Sequence, residues 1–579
     1  MTASATVTDE ELLGQARSWL AEDPDPETRR ELENLLATSD WPGLEERFGA
    51  RLEFGTAGLR GRLGAGPNRM NRVLVRKAAA GLAGYLHQHG STGSGVVIGY
   101  DARHRSEDFA RDTASVLAGA GIPALLLPRA LPTPLLAYAV RRLHAAAGVM
   151  VTASHNPPEY NGYKVYLGDG AQIVPPTDAQ ISAQIDLVTS SVPVPVPVPG
   201  VAASDDPLIT TLGDDIVDQY LAEAAEQSFE PGARDIGIVY TPMHGVGGSV
   251  ALRLLADSGF RRVTVVDAQA APDPDFPTVA FPNPEEPGAL DLAVMQATDR
   301  DADLVLANDP DADRLGVAVP SREGPGWTIL RGDEIGVLLA DHVLRHTAGD
   351  DRLVVTTIVS SSLLRRMAAA AGVHYAETLT GFKWIVRIGD SHPDWRFVFG
   401  YEEALGYCAG SMVRDKDGIT AALLFAELVA GLKAEGRTVF DRLDDLAIEH
   451  GAHVSDQWSI TVDGPDGPAR IAGIMNQLRA APPDQLDGRP VTQVDDLRSG
   501  HDLPPTNAII MRLGDDLRVT LRPSGTEPKL KVYFEAVSPV VVVSLVVVGD
   551  VRAARERGTT AIARLRGALA AATGLADSG

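Results

Sequence analysis

The sequence predicts an α/β protein made of three related α/β domains and a smaller C-terminal α+β domain, arranged around a central cleft. Three segments repeat one pattern, in which a β-branched run, a polar loop of small residues, an Ala- and Leu-rich helix and a second strand follow one another. They begin with the letters GVVIGYDARH, DIGIVYTPMH and RLVVTTIVSS. Each helix is followed by a glycine, Gly121, Gly259 or Gly372, where a left-handed residue is expected to end the helix. Strand, helix and strand at this spacing predict parallel βαβ units.

Changes in composition along the chain predict the domain boundaries. The Pro-alternating stretch Val192–Gly200 cannot lie in the centre of a sheet, and a Pro- and Gly-rich stretch follows residue 320. After about Ile448 the pattern changes to two long strand-like stretches and a final helix. The apolar run Val540–Val548 is either a buried strand or an aggregation-prone insertion. The predicted domains are residues 1–205, 206–325, 326–450 and 451–579.

Composition limits the classes of partner. The 579 residues carry a net charge of −25, which disfavours nucleic acid and anionic membranes as partners. An anionic ligand would therefore need basic groups close to its own site. The single cysteine, Cys408, excludes an intrachain disulfide, and no signal peptide or membrane-spanning run is recognised. We expect a cytoplasmic protein.

The first stretch that could carry chemistry is VTASHNPPEYNGYK, Val151–Lys164. Ser154 follows an apolar run, and the end of a strand in an α/β fold is where a nucleophilic hydroxyl is commonly placed. The alternative is a surface turn, because Ser, Asn, Pro and Gly all form turns. Taken alone, the stretch favours the turn.

The second stretch is ANDPDADRLGV, in which Asp309, Asp311 and Asp313 alternate after an apolar run. Alternation along extended backbone would place the three carboxylates on one side, where they would repel one another unless a cation lay among them. Oxygen ligands suit a hard ion such as Mg²⁺. An EF-hand is excluded because Arg314 and Pro320 occupy its glycine and glutamate positions. The alternative is a solvated acidic turn.

The third stretch is TLRPSGTEPKLKVY. Arg522, Ser524, Gly525 and Thr526 offer a guanidinium, two hydroxyls and free backbone N–H groups, which together suit a phosphate group. The alternative is an ordinary hairpin turn.

Other stretches are weaker when taken alone. The segment EFGTAGLRGRLGAGPNRMN contains Arg60 among five glycines, and GYEEALGY contains the paired acids Glu402 and Glu403. Lys416 lies between two aspartates, and TLTGFK is a polar loop. The segment HGVGGS does not complete a dinucleotide fingerprint, and the sequence contains no P-loop, so NAD and P-loop ATP chemistry are not expected.

A hydroxyl nucleophile, a carboxylate-bound cation and a phosphate cradle together indicate phosphoryl transfer. At these residues the chain resembles the α-D-phosphohexomutase superfamily of phosphoglucomutases and phosphomannomutases. The matching motifs are TASHNP, DPDADR, GYEEALGY and RPSGTEPK, in that order. EFGTAGLRG, NRMN and DKDG are most similar to the subgroup of bacterial α-phosphoglucomutases and animal phosphoglucomutase-2/phosphopentomutase enzymes.

The resemblance implies an isomerase that acts as an intramolecular phosphotransferase. Ser154 would carry a phosphoryl group in the resting enzyme, and its phosphate with Asp309, Asp311 and Asp313 would bind one Mg²⁺ ion. The phosphoserine would convert a sugar monophosphate into a bisphosphate, such as glucose 1,6-bisphosphate, which would then return its other phosphoryl group to the serine. The four domains would contribute in turn the phosphoserine loop, the metal ligands, sugar recognition and phosphate binding.

The resemblance also implies the roles of the remaining site residues. Arg522, Ser524, Gly525 and Thr526 would hold the phosphate that does not react. Glu402 and Thr380 would bind sugar hydroxyls, and Arg60 and Arg314 would support the reacting group. Lys416 and Lys164 would be the candidates for proton transfer, whereas His155 would orient the loop.

The sequence specifies the preferred sugar less closely than the type of reaction. The leading substrate is α-D-glucose 1-phosphate, converted to glucose 6-phosphate. Many glucose-specific relatives have a serine where this chain has Ala404, so pentose and mannose phosphates stay open alternatives. Outside this class, a non-catalytic sugar-phosphate-binding protein and a phosphatase are the competing hypotheses. The oligomeric state, monomer or dimer, is left open.

Overall fold

The structure is a computed structural model that describes residues 8–188, 206–229, 232–462, 467–500, 503–524, 529–540 and 547–575. By its internal contacts the chain divides into two units. The first unit comprises Met1–Ile329 and Gly406–Ala430, and the second comprises Leu330–Leu405 and Gly431–Gly579. The Pro-alternating stretch Val192–Gly200 lies outside the described residues. None of the helices described has both the length and the apolar content needed to cross a membrane.

Three helices that the sequence analysis did not single out open the first unit: α1 Asp9–Glu22, α2 Pro26–Thr38 and α3 Trp41–Phe48. Each begins at a side chain that accepts a hydrogen bond from the first turn, namely Thr8, Asp25 or Asp40. Their apolar faces pack together around Leu32 and Phe48, so the three helices share a small core of their own.

A six-stranded sheet follows, with the strand order β1-β5-β4-β2-β3-β6. Its elements are β1 Leu59–Arg62, α4 Arg72–Gln88, β2 Val96–Tyr100, α5 Ser106–Gly119, β3 Ala124–Leu126, α6 Thr133–Arg142, β4 Ala147–Val151, β5 Tyr160–Leu167, α7 Thr177–Leu187 and β6 Ile209–Thr211. Strands β2 and β4 are parallel neighbours, with Tyr100 opposite Val151. The turn after β2 and the Ser154 loop after β4 therefore leave the sheet at the same edge.

The second sheet of the first unit has the order β11-β10-β9-β7-β8. Its elements are α8 Asp215–Ala225, β7 Ile238–Thr241, α9 Gly248–Asp257, β8 Val263–Val265, α10 Asp267–Ala270, α11 Asp291–Asp299, β9 Leu304–Ala307, β10 Gly316–Pro320 and β11 Trp327–Ile329. Strands β9 and β10 are antiparallel, and the loop that joins them carries the three predicted metal ligands.

The next part of the chain includes the parallel strands β13, β12 and β14 of the second unit. Its elements are α12 Gly332–His346, β12 Arg352–Thr357, α13 Leu363–Ala371, β13 His374–Thr378, α14 Phe382–Ile385, a short 3-10 helix Ile388–Ser391, β14 Arg396–Glu402, β15 Gly406–Ala409, α15 Gly418–Ala434 and α16 Val439–His450. Residues 406–430 among these belong to the first unit.

The C-terminal part of the second unit is an antiparallel sheet in the order β16-β22-β21-β20-β19. Its elements are β16 Ala452–Thr461, α17 Gly467–Ala480, β17 Gln485–Leu486, β18 Arg489–Pro490, β19 Gln493–Asp496, a 3-10 turn Leu497–Ser499, β20 Ile509–Arg512, β21 Leu517–Pro523, β22 Lys529–Ser538 and α18 Val547–Thr573. Within the run Val540–Val548, residues 541–546 lie outside the described residues, and the last two residues begin α18.

The predicted fold class is confirmed. The three repeated segments form the parallel pairs β2–β3, β7–β8 and β12–β13, each joined through a helix. Gly121, Gly259 and Gly372 have φ values of +76°, +94° and +62°, as expected for residues that end a helix. The predicted domain boundaries at residues 205, 325 and 450 stay predictions.

Candidate active site

The Ser154 loop joins β4 to β5 and is not a surface turn. Ser154 is only 3% exposed, which contradicts the surface turn that the stretch favours when taken alone. Its backbone is left-handed, with φ +54°, and its N–H donates to Thr152 Oγ1 at 2.8 Å. The loop therefore holds one hydroxyl in a fixed, enclosed position.

Two polar groups contact the Ser154 hydroxyl. Its Oγ donates to Asp309 Oδ2 at 3.0 Å and lies 3.0 Å from His155 Nδ1. Burial and the positive charges of Arg314 and Arg60 lower the pKa of His155 well below its ordinary value. The imidazole is therefore uncharged at neutral pH. The hydrogen bond between its Nδ1 and the Ser154 hydroxyl adds no positive charge to the site.

The three aspartates converge because their loop turns, not because it is extended. Ala312 N–H donates to Asp309 O at 2.8 Å, and Ala312 has φ +55°, so the chain reverses between the carboxylates. The prediction of an extended backbone is therefore wrong, although the predicted convergence of the three carboxylates is correct. One oxygen each of Asp309, Asp311 and Asp313 lies within 4.8 Å of the others, and all three side chains are buried.

Two lysines offset part of this negative charge. Lys164 Nζ lies 2.8 Å from Asp311 Oδ2 and 3.2 Å from Asp313 Oδ2, and Lys416 Nζ lies 3.1 Å from Asp313 Oδ2. Burial alone would raise the pKa of Asp313, but the two ammonium groups hold it well below its usual range. Burial and the other two carboxylates raise the pKa of Asp309. The carboxylates of the cluster thus differ in how far their charge is compensated.

The donor set fits a hard divalent cation. Asp311 Oδ1 and Asp313 Oδ1 are buried and have no hydrogen-bond partner, whereas buried polar atoms are almost always paired. Thr133 Oγ1 donates to Asp311 Oδ2 at 2.7 Å, and Arg314 N–H donates to Asp309 Oδ1 at 3.0 Å. These bonds fix the carboxylates and leave convergent oxygens, which is the ligand type that Mg²⁺ prefers.

Arg60 and Arg314 complete the group in the first unit. Arg60 Nη1 donates to Asn156 Oδ1 in the serine loop at 3.2 Å, and Arg314 Nη1 lies 3.6 Å from Glu285 Oε2. The structure thus brings together all the predicted site residues of this unit, which are Arg60, Ser154, His155, Lys164, Asp309, Asp311, Asp313, Arg314 and Lys416.

The predicted sugar-binding residues belong to the second unit. Glu402 Oε2 accepts from Gly381 N–H at 3.1 Å, so the glutamate lies against the loop that contains Thr380. Its neighbour Glu403 accepts hydrogen bonds from Thr357 and Ser360 instead. Both acids are partly exposed, but they contact different loops.

Two of the four predicted phosphate-binding residues, Arg522 and Ser524, lie at one end of the β21–β22 hairpin. Arg522 is partly exposed near the end of β21, and Ser524 N–H donates to Lys529 O at 2.8 Å. Gly525 and Thr526 lie outside the described residues.

Three further residues, to which the sequence assigned no role, contact the site. Thr133 holds Asp311, and Asp415 Oδ1 lies 3.1 Å from Lys416 Nζ. Arg103 donates to the carbonyl of Ser154 at 2.6 Å. Arg103 was detectable in principle, because it follows β2, and the ends of parallel neighbouring strands meet at one edge of a sheet.

Four family descriptions match consecutive parts of the chain. The phosphoglucomutase/phosphomannomutase alpha/beta/alpha domains I, II and III match residues 51–191, 218–324 and 331–449. The C-terminal domain of the same family matches residues 463–546.

Relatives with several names share most of their length with the chain. A Haemophilus influenzae protein named "Probable phosphomannomutase" is 46% identical over 472 residues, 81% of this chain and 93% of the relative. A Schizosaccharomyces pombe "Probable phosphoribomutase" is 37% identical, covering 89% of this chain and 92% of the relative. A Staphylococcus epidermidis "Phosphoglucomutase" is also 37% identical, covering 84% and 91%.

Solved structures share the fold. The X-ray structure of a phosphoglucomutase/phosphomannomutase family protein from Burkholderia thailandensis matches with a TM-score of 0.63 at 20% identity. The match covers 88% of this chain and 97% of that one.

Proposed function

The chain belongs to the phosphoglucomutase/phosphomannomutase family of isomerases, and from this membership we propose that it is a Mg²⁺-dependent phosphoglucomutase. The members of this family are intramolecular phosphotransferases. This chain is a sugar phosphate mutase of the same type. The proposed reaction interconverts α-D-glucose 1-phosphate and glucose 6-phosphate. The observation that carries the proposal is the buried Ser154 hydroxyl, which donates to one of three convergent carboxylates.

In the proposed reaction Ser154 carries a phosphoryl group on Oγ. The bond between phosphorus and Ser154 Oγ breaks, and a bond from a sugar hydroxyl oxygen to phosphorus forms, which gives a sugar bisphosphate. The departing Ser154 Oγ takes up a proton and the sugar hydroxyl loses one, and Lys164 and Lys416, which lie at the carboxylate cluster, are the candidates for both transfers: one ammonium gives its proton to Ser154 Oγ and regains one from the hydroxyl. In the second half-reaction the other phosphoryl group of the bisphosphate returns to Ser154 Oγ, and the product leaves.

Several side chains would position and stabilise the reacting group. Asp309, Asp311 and Asp313 would hold Mg²⁺, which when bound neutralises negative charge on the transferred phosphoryl group. The guanidinium of Arg60 lies against the serine loop and would contact phosphoryl oxygens, together with Arg314. Phosphoryl transfer depends mainly on such positioning and charge neutralisation, and these groups are all fixed within the first unit.

In the second unit, the proposal assigns substrate recognition to two places. Glu402 and Thr380 would bind sugar hydroxyls, and Arg522, Ser524, Gly525 and Thr526 would hold the phosphate that is not being transferred. A carboxylate and a hydroxyl suit hydrogen bonds to hydroxyl groups, and a guanidinium beside a serine suits a phosphate dianion.

Pentose and mannose phosphates are the second candidate substrates. Two of the relatives carry the names phosphomannomutase and phosphoribomutase. Ala404 stands where many glucose-specific relatives have a serine, so the predicted sugar-recognition loop has one hydroxyl fewer than theirs. A non-catalytic sugar-phosphate-binding protein is disfavoured, because simple binding needs neither a buried serine hydroxyl nor the acidic cluster beside it.

A side-by-side mutase assay tests the proposal. Glucose 1-phosphate, mannose 1-phosphate and ribose 1-phosphate are compared by kcat/KM, with Mg²⁺, a trace of the matching bisphosphate and the Ser154→Ala variant as control. The proposal expects the highest kcat/KM for glucose 1-phosphate and no turnover by the variant. A preference for ribose 1-phosphate would instead assign a phosphopentomutase, and no turnover of any sugar phosphate would contradict the mutase assignment.

A further inference from the structure

The main chain of the Ser154 loop is strained and leaves the sheet without ladder partners. A left-handed conformation at a non-glycine residue such as Ser154, with φ +54°, is unfavourable and persists only where its surroundings enforce it. The residues between β4 and β5 also lie outside the register that pairs the two strands, and buried carbonyls there need other donors. Some other part of the structure must therefore satisfy these carbonyls and hold the turn.

One guanidinium supplies these donors. Arg103 Nη2 donates to the carbonyl oxygens of Ser154 at 2.6 Å and Asn156 at 2.5 Å. Arg103 Nη1 donates to those of Pro157 at 2.9 Å and Tyr160 at 3.2 Å. All four acceptors are main-chain oxygens of the loop or of its first following residue, so a single side chain binds the loop along its whole length.

Arg103 is itself held rigidly. Its Nε lies 3.3 Å from Asp101 Oδ2, and both side chains are 1% exposed. Asp101 Oδ1 accepts from Arg103 N–H at 3.0 Å and from Ser106 Oγ at 2.6 Å. On its other side the guanidinium lies 4.9 Å from the centre of the Phe276 ring. The long side chain therefore has one available position, which is the condition for it to fix another group.

We propose that Arg103 is the positioning residue that holds Ser154 Oγ where phosphoryl transfer requires it. This inference rests on the proposed function, since it concerns the same serine. Arg103 reaches the hydroxyl only through the main chain, because its contacts are to carbonyl oxygens and not to Ser154 Oγ. Its contribution is therefore to the geometry of the transfer step rather than to substrate affinity.

The test replaces Arg103 by lysine in the full-length protein. Arg103→Lys keeps the positive charge, but a single ammonium nitrogen cannot reach four carbonyls as the planar fork does. The matched control is Arg111→Lys in α5, whose side chain is 62% exposed and pairs with Glu107. Steady-state kinetics, thermal unfolding and hydrogen exchange of the peptide covering residues 150–160 are measured for both variants and the wild type.

The expected result for Arg103→Lys is a kcat about 100-fold below wild type, with KM changed less than about threefold, because a small misplacement of a reacting atom costs this much. Hydrogen exchange should become faster in the Ser154 loop alone, and Arg111→Lys should match wild type. A kcat within about threefold of wild type would overturn the inference. The inference would also be overturned if the fall in kcat came with a loss of exchange protection throughout the first sheet. That result would indicate a merely structural residue.

Two further measurements keep the inference separable from folding and from the proposed function. If Arg103→Lys does not fold, Asp101→Asn releases the guanidinium without changing the loop. A fall in its kcat at constant KM supports the inference, and a kcat like that of the wild type overturns it. If wild-type Ser154 takes no phosphoryl group from glucose 1,6-bisphosphate, the proposed function fails. In that case faster exchange confined to residues 150–160 of Arg103→Lys still supports the positioning role, and unchanged exchange overturns it.

Discussion

Burying Asp309, Asp311 and Asp313 is unfavourable in free energy, because three carboxylates are buried with their oxygens close together. Lys164 and Lys416 compensate part of this charge. Two carboxylate oxygens still have no hydrogen-bond partner. A divalent cation would satisfy both oxygens at once, so the cluster is better explained as a metal site than as a structural ion-pair network.

Loss of one ligand charge should weaken Mg²⁺ binding. Asp311→Asn removes a charge and a partnerless oxygen, so we expect the Mg²⁺ affinity to fall at least about tenfold, as for loss of groups that support a metal. Calorimetric titration with Mg²⁺ alone measures this directly. The control Asp299→Asn changes an exposed carboxylate on α11 and should leave the affinity unchanged. Equal affinities for Asp311→Asn and the control would contradict the assignment.

The hydroxyl of Thr133 should matter for the same reason. Thr133→Val removes the donor to Asp311 Oδ2 with little change of shape, so the Mg²⁺ affinity should fall about 10–100-fold. Thr113→Val is the matched control, since Thr113 is equally buried but donates to a helix carbonyl, Phe109 O. Mg²⁺ titration of both variants decides the point. A fall of the same size in both would show that loss of a buried hydroxyl, and not its contact with Asp311, is responsible.

Among the structural elements, the turn between β2 and α5 connects several parts of the first unit. Arg103 binds the serine loop, and His104 Nε2 lies 2.7 Å from Asp275 Oδ1, beyond β8. Arg105 pairs with Asp25 at the start of α2. The N-terminal helices, which lie outside the residues matched by the family, are thereby attached to the turn that carries Arg103.

The Asp25–Arg105 pair should stabilise this attachment. Asp25→Asn can still accept the hydrogen bond from Glu27 N–H at the start of α2, but it loses the charge that pairs with Arg105. Because Arg105 is partly exposed, we expect a loss of about 1–2 kcal/mol in the free energy of unfolding, seen as a lower thermal midpoint. The carboxylate of Glu27 lies 3.9 Å from Arg105 and is largely exposed, so Glu27→Gln should leave the thermal midpoint unchanged. Identical midpoints for both variants would show that the pair does not stabilise the protein.

In the second unit, Glu535 on β22 is a buried carboxylate that depends on its charge. It lies 2.8 Å from Arg518 Nη2 and accepts from Ser362 N–H at 2.6 Å. Burial alone would raise the pKa of Glu535, but Arg518 and His453 lower it from 4.5 to about 2. Since the folded-state pKa is lower than the unfolded one, the stabilisation is complete above pH 4.5 and is lost as the pH falls towards 2.

The pH dependence of stability should reveal this carboxylate. The shift corresponds to about 3 kcal/mol at neutral pH, of which about 2 kcal/mol is lost by pH 3. Wild-type protein should therefore lose about 2 kcal/mol more than Glu535→Gln between pH 6 and pH 3. Urea unfolding at a series of pH values measures the difference. Parallel curves for the two proteins would show that the pKa of Glu535 is not lowered by folding.

Elements and residues differ in how far the sequence could predict them. The parallel pairs of the three repeated segments and the glycines that end their helices follow from local patterns, and they are confirmed. The alternation of the aspartates predicts extended backbone where the chain turns at Ala312, although the Asp and Pro residues before it both favour turns. The position of Arg103 after β2 could have been read from the sequence, but its role could not, because its partners in the serine loop are main-chain carbonyls, which carry no sequence signal.

For the molecule as a whole, the net charge of −25 contrasts with the basic side chains gathered at Ser154. Arg60, Arg103 and Lys164 all lie at or against the serine loop or the acidic cluster. The expectation that an anionic ligand needs local basic groups is consistent with this placement. The same groups would bind any phosphorylated sugar, so under the proposed function the choice among glucose, mannose and pentose would depend on the predicted recognition residues of the second unit.

The most direct test of the account is the phosphorylation of Ser154. The protein is incubated with Mg²⁺ and glucose 1,6-bisphosphate, and the peptide that contains Ser154 is examined by mass spectrometry before and after addition of glucose 1-phosphate. We predict one phosphoryl group on Ser154, which leaves the protein as the sugar bisphosphate forms, and none on the Ser154→Ala variant. Mutase turnover without phosphorylation of Ser154, or turnover that persists in Ser154→Ala, would contradict the central claim.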